Sequence, residues 1–447
     1  MRAFSFAAAL ALLAATAPAL AASATGDRVL VILDPKIDKG SYSKFFGSLK
    51  DRGYDLTFKK PTDDTWLAPF GEPAFDHLVL FAPEAEKLSE GFSPQHVLAA
   101  QSEFLNTLHI LSPGLSELQR DTLREYDIEA APRGLELVDA FSHVAGSEID
   151  TVVLDASTLV GPAPILGASK TAGPIVYAKG TGFRTGLNPF LVDIATAPST
   201  AYVADKHGKP VDAKAGHEVR LAGSKVSVVG AIQNRNNVRV GFVGSPDLLS
   251  DAWWGKKLDG KETGNRAFVD DLTKWVFQET GVVRVVSTTH HREGETEPKE
   301  QYRKKDTVTY DITLTQHSTS ANGTSQWVPF HTDDLQLEFT MLDPFIRTAL
   351  VEKSSSASDT TYSTSFVAPD RHGVFKFVVS HWRPGWTSIT TEDKASVVPL
   401  RHDEHPRWIT GAFPFYTGAL STSAAFLLFV ALWASLAEGD KKKKKAE

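Results

Sequence analysis

The chain has 447 residues and a formal net charge of −7, and 42% of its residues are hydrophobic. It is too long for one hydrophobic core, so two or three folded units are expected, and its acidic balance disfavours nucleic acid as a partner. It contains no cysteine, which excludes disulfide bonds, thiol catalysis and cysteine-bound metal.

The N-terminus has the pattern of a secretory signal peptide, predicted over residues 1–22. Met1-Arg2 is a short positive region, and Phe4 to Ala15 is apolar but too short to span a membrane. Ala19 and Ala21 then form a small-residue cleavage pattern, and we expect cleavage between Ala21 and Ala24. A retained first transmembrane helix is the alternative.

Residues 27–282 alternate predicted strands and helices. The predicted strands are Val29–Leu33, Asp55–Lys59, His77–Ala82, Thr151–Leu154 and Val238–Val243. The predicted helices are Ser43–Arg52, one that starts at Pro94 with Val97, Leu98, Leu105 and Leu108 on its inner face, and Asn265–Glu279. This alternation predicts an α/β unit with a mostly parallel sheet and helices on both faces.

Residues 283–405 have a different pattern, which predicts an antiparallel β-sandwich. Short alternating runs rich in Val, Thr, Phe and Tyr, such as Thr307–Leu314, Leu335–Phe339 and Gly373–Val379, are separated by turn residues. The Ser/Thr-rich stretch Lys353–Thr364 indicates a loop. Asn322-Gly323-Thr324 is an acceptor sequence for N-glycosylation, and it is either occupied or empty.

Two positions in the α/β unit lie where open sheets bind ligands, at the carboxyl ends of strands. Asp34 follows the first predicted strand, and Gly244 follows the strand that ends at Val243. The glycine pattern there is not that of a dinucleotide site, and structural turns also explain both positions.

Other polar residues give no catalytic pattern. His290 and His291 are adjacent on a predicted strand, so they point to opposite faces and are poorly placed to share a metal. Asp333, Asp334 and Glu262 offer carboxylates, but no spacing brings them together. The sequence therefore predicts no catalytic, cofactor-binding or metal-binding residue.

Residues 411–437 predict a transmembrane helix, and residues 438–447 predict a Lys-rich cytosolic tail, because the basic end of a span stays in the cytosol. Lys444 and Lys445 stand fourth and third from the C-terminus, which is the position of an endoplasmic reticulum retrieval signal. Plain stop-transfer charge is the alternative. The small residues of the span predict a helix-packing face: Gly418, Ser421, Thr422 and Ala425.

Long stretches of the chain carry a more specific pattern. They are Ser48–Lys59, Gln233–Arg239, Lys274–Phe277, Gly281–Val285, His290–Thr296, Trp327–Phe330, Asp333–Phe339 and Asp343–Arg347. In this order they resemble the family of 48 kDa subunits of the oligosaccharyltransferase complex of the endoplasmic reticulum. The likeness covers nearly the whole mature chain, although residues 101–146 and the lack of cysteine depart from the family pattern.

The resemblance implies a flavodoxin-like α/β lumenal domain, a β-sandwich and one span, in a single-pass type I protein of the endoplasmic reticulum membrane. It implies a non-catalytic assembly subunit of the complex that transfers a preassembled glycan from dolichyl diphosphate to Asn of Asn-x-Ser/Thr sequences. The implied partners are membrane lipid and the other subunits, including a multi-span catalytic subunit that holds the metal. No cofactor is implied in this chain, and contact with lipid-linked oligosaccharide is left open.

Two further functions remain open on the residues alone. The first is a stand-alone type I lumenal carbohydrate-binding protein, in which Trp382 or Trp386 stacks on a sugar. The second is a lumenal hydrolase with its ligand near Asp34 and Gly244.

Overall fold

The structure is a computed structural model that describes residues 22–205, 207–209, 221–258, 260–319 and 325–443. Residues 1–21, which hold nearly all of the predicted signal peptide, lie outside the described residues. The described chain forms two folded units and a C-terminal helix, which agrees with the α/β, antiparallel and single-helix classes expected from the sequence.

The first unit, called here the α/β unit, contains fifteen strands and five helices among its described residues. The strands are β1 (Arg28–Leu33), β2 (Asp55–Lys59), β3 (His77–Phe81), β4 (Asn106–Ile110), β5 (Ile128–Ala130), β6 (Glu136–Val138), β7 (Thr151–Leu154), β8 (Ile175–Ala178), β9 (Phe183–Thr185), β10 (Leu191–Thr196), β11 (Tyr202–Ala204), β12 (Ser227–Gln233), β13 (Arg239–Val243), β14 (Lys257–Leu258) and β15 (Lys261–Glu262). The helices are α1 (Ser43–Asp51), α2 (Pro94–Gln101), α3 (Glu117–Glu125), α4 (Ala163–Leu166) and α5 (Asn265–Val276).

A nine-stranded mixed sheet is the centre of this unit. Its order is β2-β1-β3-β4-β13-β12-β9-β5, with β10 also paired to β12. The pairs from β2 to β13 are parallel, whereas those of β12 with β13, β9 and β10 are antiparallel. The parallel strands follow the order 2-1-3-4-5 of flavodoxin-like sheets. The flavodoxin-like fold itself stays a prediction.

Helices cover both faces of the parallel strands, as predicted. Val29 and Val31 of β1 pack in one core cluster with residues of α1 and α5. Leu30 and Ile32 point the other way and pack in a second cluster with Val97 of α2. This alternation is why the first strand reads as a continuous apolar run, since both of its faces are buried.

Two sequence predictions in this unit were wrong in detail. The helix that starts at Pro94 ends at Gln101, and Leu108 belongs to β4, whose five residues are all buried. Apolar spacing alone does not separate a strand buried on both faces from a continuing helix. The predicted strand Thr151–Leu154 exists, but it pairs antiparallel with β8 in a separate two-stranded sheet and not in the main sheet.

The second unit, called here the sandwich, has ten strands among its described residues. They are β16 (Val283–Arg292), β17 (Gln301–Arg303), β18 (Thr307–Thr319), β19 (Ser325–Pro329), β20 (Gln336–Thr340), β21 (Pro344–Ala349), β22 (Val351–Ser355), β23 (Thr360–Val367), β24 (Gly373–His381) and β25 (Ile389–Val398). They form two five-stranded sheets, β16-β18-β23-β22 with β19 on β18, and β17-β25-β24-β20-β21. Every pair is antiparallel except β17 with β25.

The sandwich core lies between these sheets and is rich in aromatic rings. Tyr310, Phe339, Phe375 and Phe377 are fully buried, and the rings of Phe339 and Phe375 stack with centroids 4.7 Å apart. The loop predicted over Lys353–Thr364 was wrong, because most of it forms the hairpin of β22 and β23. Ser and Thr suit an exposed sheet edge as well as a loop, so composition misled here.

The C-terminal helix α6 (Phe413–Lys443) covers the predicted span. The segment Thr410–Leu436, which adds one 3-10 turn before α6, is long and apolar enough to cross a bilayer. Its mean hydropathy is 1.9, and none of the apolar stretch is buried against the rest of the chain. Such an exposed apolar helix is what a lipid environment requires.

Two buried histidines lie on central strands of the α/β unit. Burial lowers the pKa of His77 in β3 to about 4 and that of His109 in β4 to about 3. His77 Nε2 lies 3.1 Å from the carbonyl oxygen of Gly26, whereas His109 Nε2 has no hydrogen-bond partner among the described residues. The His109 ring stacks on Phe242 at 5.2 Å. Both side chains are therefore neutral in the folded chain at mildly acidic pH.

We expect the free energy of unfolding to decrease as the pH falls below about 6.5, because only the unfolded histidines then bind protons. Each of the two histidines lowers the free energy of unfolding by about 1.4 kcal/mol for each pH unit, until the pH reaches the pKa of that histidine in the folded chain. His109→Phe keeps the stacked ring and should make this slope shallower by one such contribution. Denaturant unfolding of the detergent-solubilised chain across the acidic range measures it.

The exposed His207 gives the matched control, since His207→Phe changes a side chain that is solvated in both states. An unchanged slope in His109→Phe would show that His109 takes up its proton without unfolding.

Candidate functional site

The carboxyl end of β1 is organised by Asp34, which is 6% exposed. Its Oδ1 accepts a hydrogen bond from the Lys36 N–H at 3.0 Å, and its own N–H donates to the Phe81 carbonyl oxygen at 3.0 Å. Asp34 therefore forms the turn after β1 and ties that turn to β3. Asp34 is thus explained as a structural turn residue, which is one of the two explanations that the sequence left open.

Gly244 is enclosed in the same way at the end of β13. A Cβ at this position would lie 2.2 Å from the Tyr177 hydroxyl and 2.5 Å from the Thr181 carbonyl oxygen. The buried Tyr177 hydroxyl donates to that carbonyl at 2.5 Å, and the buried Ser245 hydroxyl donates to the Ala178 carbonyl oxygen. Protein groups thus fill the space beside Gly244 where a ligand would approach.

His290 and His291 point to opposite faces of β16, as predicted. His290 faces the core, where its ring stacks on Phe377 at 4.6 Å and its Nδ1 lies 2.7 Å from the Tyr302 hydroxyl. Burial lowers the pKa of His290. His291 Nε2 instead lies 3.9 Å from a carboxylate oxygen of Asp311. Within the described ranges, no three His, Asp or Glu side chains are grouped so as to hold a metal ion.

The three acidic candidates are not brought together. Glu262 lies in β15 of the α/β unit, whereas Asp333 and Asp334 precede β20 of the sandwich. Asp334 is paired with Arg383 and His381. Burial acts to raise the pKa of Asp334, but hydrogen bonds from Thr332 and Arg383 outweigh it and hold the pKa below its usual value.

The two tryptophans considered for sugar stacking differ in exposure. Trp386 packs against the sandwich core, edge-on to Phe330 at 5.1 Å. Trp382 is 40% exposed and lies 5.2 Å from the ring of Phe190, which belongs to the α/β unit. Of these two, Trp382 has the more exposed ring, and Trp386 is half-buried.

A set of buried polar contacts lies where the α/β unit joins the sandwich. Arg239 begins β13 and is fully buried. Its guanidinium donates to the carbonyl oxygens of Trp275, Thr280 and Gly281 at 2.6–2.8 Å, and it lies 4.6 Å from the centre of the Trp275 ring. These carbonyls end α5 and start the crossing to β16, so one cation neutralises the negative end of the helix. Burial lowers the pKa of Arg239 to about 9, which leaves it protonated at neutral pH.

A buried ion pair holds the same crossing from the side of α1. Arg52 donates to Glu279 Oε1 at 2.6 Å, and the Tyr54 hydroxyl donates to the same oxygen at 2.8 Å. Burial and the negative charge of Glu279 raise the pKa of Tyr54 well above its ordinary value. On the sandwich side, His317 Nδ1 donates to the Glu279 carbonyl oxygen at 2.8 Å.

The loop between β24 and β25 docks onto this crossing. The Trp275 indole N–H donates to the Gly385 carbonyl oxygen at 2.8 Å, and Asn237 Oδ1 accepts from the N–H and hydroxyl of Ser388 at 2.7 and 2.8 Å. A Cβ on Gly281, which has φ +69°, would lie 2.2 Å from the Gly385 carbonyl oxygen. The two units therefore meet through polar contacts, and their backbones approach each other closely.

Sequence reasoning singled out the segments Gln233–Arg239 and Gly281–Val285 for their resemblance but missed that they meet here. A signal was present in the sequence, because Arg239 stands between Val238 and Val240 in the apolar run of a predicted strand. A charged residue in such a run requires buried partners.

The remaining predicted sites have different outcomes. On α6, Gly418, Ser421, Thr422 and Ala425 are exposed, and the hydroxyls of Ser421 and Thr422 donate to the Gly418 carbonyl oxygen. Their role in helix packing stays a prediction. Lys444, Lys445 and Asn322 lie outside the described residues.

Comparison with known proteins gives similarity over about nine-tenths of the chain. A sequence profile of the OST48 N-terminal domain matches residues 20–279, and one of the OST48 middle domain matches residues 290–437. The chain is 34% identical over 417 residues to the dolichyl-diphosphooligosaccharide–protein glycosyltransferase 48 kDa subunit of Caenorhabditis elegans, covering 90% of each chain. It is 33% identical to the 48 kDa subunit of Danio rerio and 32% identical to subunit wbp1 of Schizosaccharomyces pombe, covering 93% of each chain in both cases.

We expect Arg239→Met to lower the free energy of unfolding by about 3 kcal/mol or more, because three buried carbonyls lose a charged donor. Arg239→Lys should restore little of this, since an ammonium group cannot reach the three acceptors as the planar guanidinium does. Denaturant unfolding of the full chain in detergent measures both variants.

The exposed Arg235 in the same segment is the control, and Arg235→Met should change stability by less than about 0.5 kcal/mol. Equal stability of the Arg239 and Arg235 variants would contradict a junction held by Arg239.

Proposed function

Because this chain belongs to the family of 48 kDa subunits of dolichyl-diphosphooligosaccharide–protein glycosyltransferase, we propose that it is a non-catalytic assembly subunit of that oligosaccharyltransferase complex. The complex transfers a preassembled glycan from dolichyl diphosphate to Asn of Asn-x-Ser/Thr sequences in nascent proteins. The observation that carries the proposal is similarity over about nine-tenths of both chains to subunits of this enzyme.

The use of the candidate side chains supports an assembly role. Asp34, Gly244 and His290 all make contacts within the protein that account for their positions. The polar network around Arg239 is buried and joins two folded units. A buried network of this kind fixes relative position and is inaccessible to a substrate.

We also propose a membrane arrangement for the chain. Both folded units lie in the lumen of the endoplasmic reticulum, α6 crosses the membrane once, and the Lys-rich tail is cytosolic, with Lys444 and Lys445 as a retrieval signal. The length and apolar surface of α6 and the tail lysines in the sequence support this arrangement.

The proposed partners are the other subunits, including a multi-span catalytic subunit. The small residues of α6 offer a contact in the bilayer, because Gly418 has no neighbouring atom within 4 Å of a Cβ built on it. A second helix can therefore approach closely at this position. Contact with lipid-linked oligosaccharide would follow from such placement and remains part of the proposal.

The function is tested by depletion and re-supply in cells. We expect depletion to leave secretory proteins underglycosylated, and tagged wild-type chain to restore glycosylation and to co-purify with a multi-span subunit. Normal glycosylation after complete depletion would overturn the proposal.

Re-supply of Gly418→Leu tests the packing face in the same cells. The added side chain should weaken co-purification, whereas Ala434→Leu on the opposite side of α6 should not. If both variants assemble normally, the small-residue face is not the contact, and the proposed function stands on the depletion result.

A second function, glycan binding by the chain alone, is favoured by one observation. Trp382 and Phe190 form an aromatic pair across the two units with an open surface, and the Arg235 guanidinium lies 5.6 Å from the Phe190 ring. Exposed aromatic rings of this kind stack on sugar faces.

If this function holds, Trp382→Ala should weaken glycan binding by the purified chain roughly tenfold, equivalent to about 1.4 kcal/mol. Trp66→Ala, which removes a tryptophan that is 52% exposed on the α/β unit, is the control. Calorimetric titration with free high-mannose glycan that detects no binding to the wild-type chain would exclude this second function.

A further inference from the structure

One end of the sandwich faces the point where the chain leaves for α6. Val397 in β25 pairs with Gly373, the first residue of β24, and Arg303 at the end of β17 pairs with Val398. Lys376 of β24 pairs with Thr340, the last residue of β20. The turn between β20 and β21 therefore lies at the same end of the sandwich as the exit to α6.

The segment between this end and α6 is anchored at both of its ends. The Arg303 guanidinium donates to Glu404 Oε1 at 2.8 Å. Beyond it, the Trp408 ring stacks on Tyr416 of α6 with centroids 4.3 Å apart, and the Ile409 N–H donates to the Tyr416 hydroxyl at 3.3 Å. From Glu404 to Trp408 an extended chain reaches at most about 14 Å. The sandwich end is therefore held close to the start of α6.

Apolar side chains project into solvent at this end. Leu342, in the turn between β20 and β21, is 91% exposed, and Val374 at the start of β24 is 58% exposed. Phe345 is 43% exposed and meets Phe375 of the core edge-on at 5.4 Å. Farther from this end, the outer face of the same sheet carries charged pairs in place of apolar residues. Lys376 and Glu392 form one such pair.

The turn is fixed against the sandwich, so the exposed Leu342 is held outward. A Cβ on Gly373 would lie 2.7 Å from Met341 Sδ. The missing Cβ lets the Met341 side chain pack onto the start of β24. An apolar side chain that is already held in place loses little conformational entropy when it enters an apolar environment.

We propose that the turn Met341–Asp343, together with Phe345 of β21 and Val374, is a second membrane contact that inserts Leu342 into the surface of the bilayer that α6 enters. The proposal rests on the membrane arrangement given under the proposed function. The occupant is lipid, because the short anchored segment keeps this end near the bilayer and because Leu342, Phe345 and Val374 expose apolar surface there. The exposed Asp343 beside Leu342 would stay at the level of the lipid headgroups. Neighbouring charges are mixed, since both Lys304 and Lys305 pair with Asp370. The contact is therefore apolar in origin and should not require anionic lipid.

The lack of cysteine in the chain permits a direct test. Single Leu342→Cys and Ser380→Cys variants of the full chain are labelled with an environment-sensitive dye and reconstituted in phosphatidylcholine vesicles. Ser380 is exposed on the same face of β24 as Val374, at the opposite end of that strand, and it is the matched control. We expect blue-shifted emission and quenching by lipid-bound quenchers at position 342 and neither at position 380.

Two further arms separate the possible failures. A label at Ala424→Cys within α6 must be quenched if α6 lies in the bilayer, so its failure would count against the membrane arrangement itself. With the label at Val374→Cys, the added change Leu342→Glu should reduce lipid quenching. Equal signals at positions 342 and 380, with α6 quenched, would overturn the contact and leave the proposed function intact. If position 342 is protected from labelling only in the assembled complex, the tip contacts another subunit. That result would likewise overturn the proposed membrane contact.

Discussion

The buried charge of Arg239 is the constraint on which the two-unit structure depends. A guanidinium without water is stable only where several acceptors surround it, and here they are the carbonyl groups that end α5 and begin the sandwich. The interaction therefore serves two purposes at once, since it satisfies the end of a helix and fixes the path of the crossing. The buried Glu279 carboxylate in the same crossing is paired with Arg52.

This junction brings together residues that are far apart in the sequence. Gln233–Arg239 and Gly281–Val285 are separated along the chain, yet Arg239 donates to Gly281, and Thr387 exchanges two hydrogen bonds with Val283 at 2.6 and 2.7 Å. Such contacts depend on exact donor positions and close backbone approach. A substitution at any of these positions would disturb both units, which is a different constraint from that of a catalytic centre.

Much of the fold followed from local patterns in the sequence. The apolar run of β1, the capped start of α2 at Ser93-Pro94 and the buried stripe of α5 with Phe268, Leu272 and Trp275 all indicated their elements correctly. What local patterns do not encode is pairing. The antiparallel strands of the main sheet depend on partners far along the chain, and so does the pairing of β7 in a separate sheet. The burial of Arg239 depends on distant partners in the same way. The outward and inward faces of His290 and His291 were predictable because alternation is a local property of any strand.

The length of the sandwich strands sets a distance within the molecule. β25 starts beside the contacts to the α/β unit and ends beside the segment that leads to α6, and its ten residues extend over about 33 Å. With α6 in a bilayer, the sandwich then acts as a spacer that carries the α/β unit at a fixed height. The rigid docking at one end and the short anchored segment at the other leave little freedom for that height to vary. The α/β unit would accordingly stand about a strand's length away from the lipid, and the sandwich would be the part that lies beside anything embedded in it.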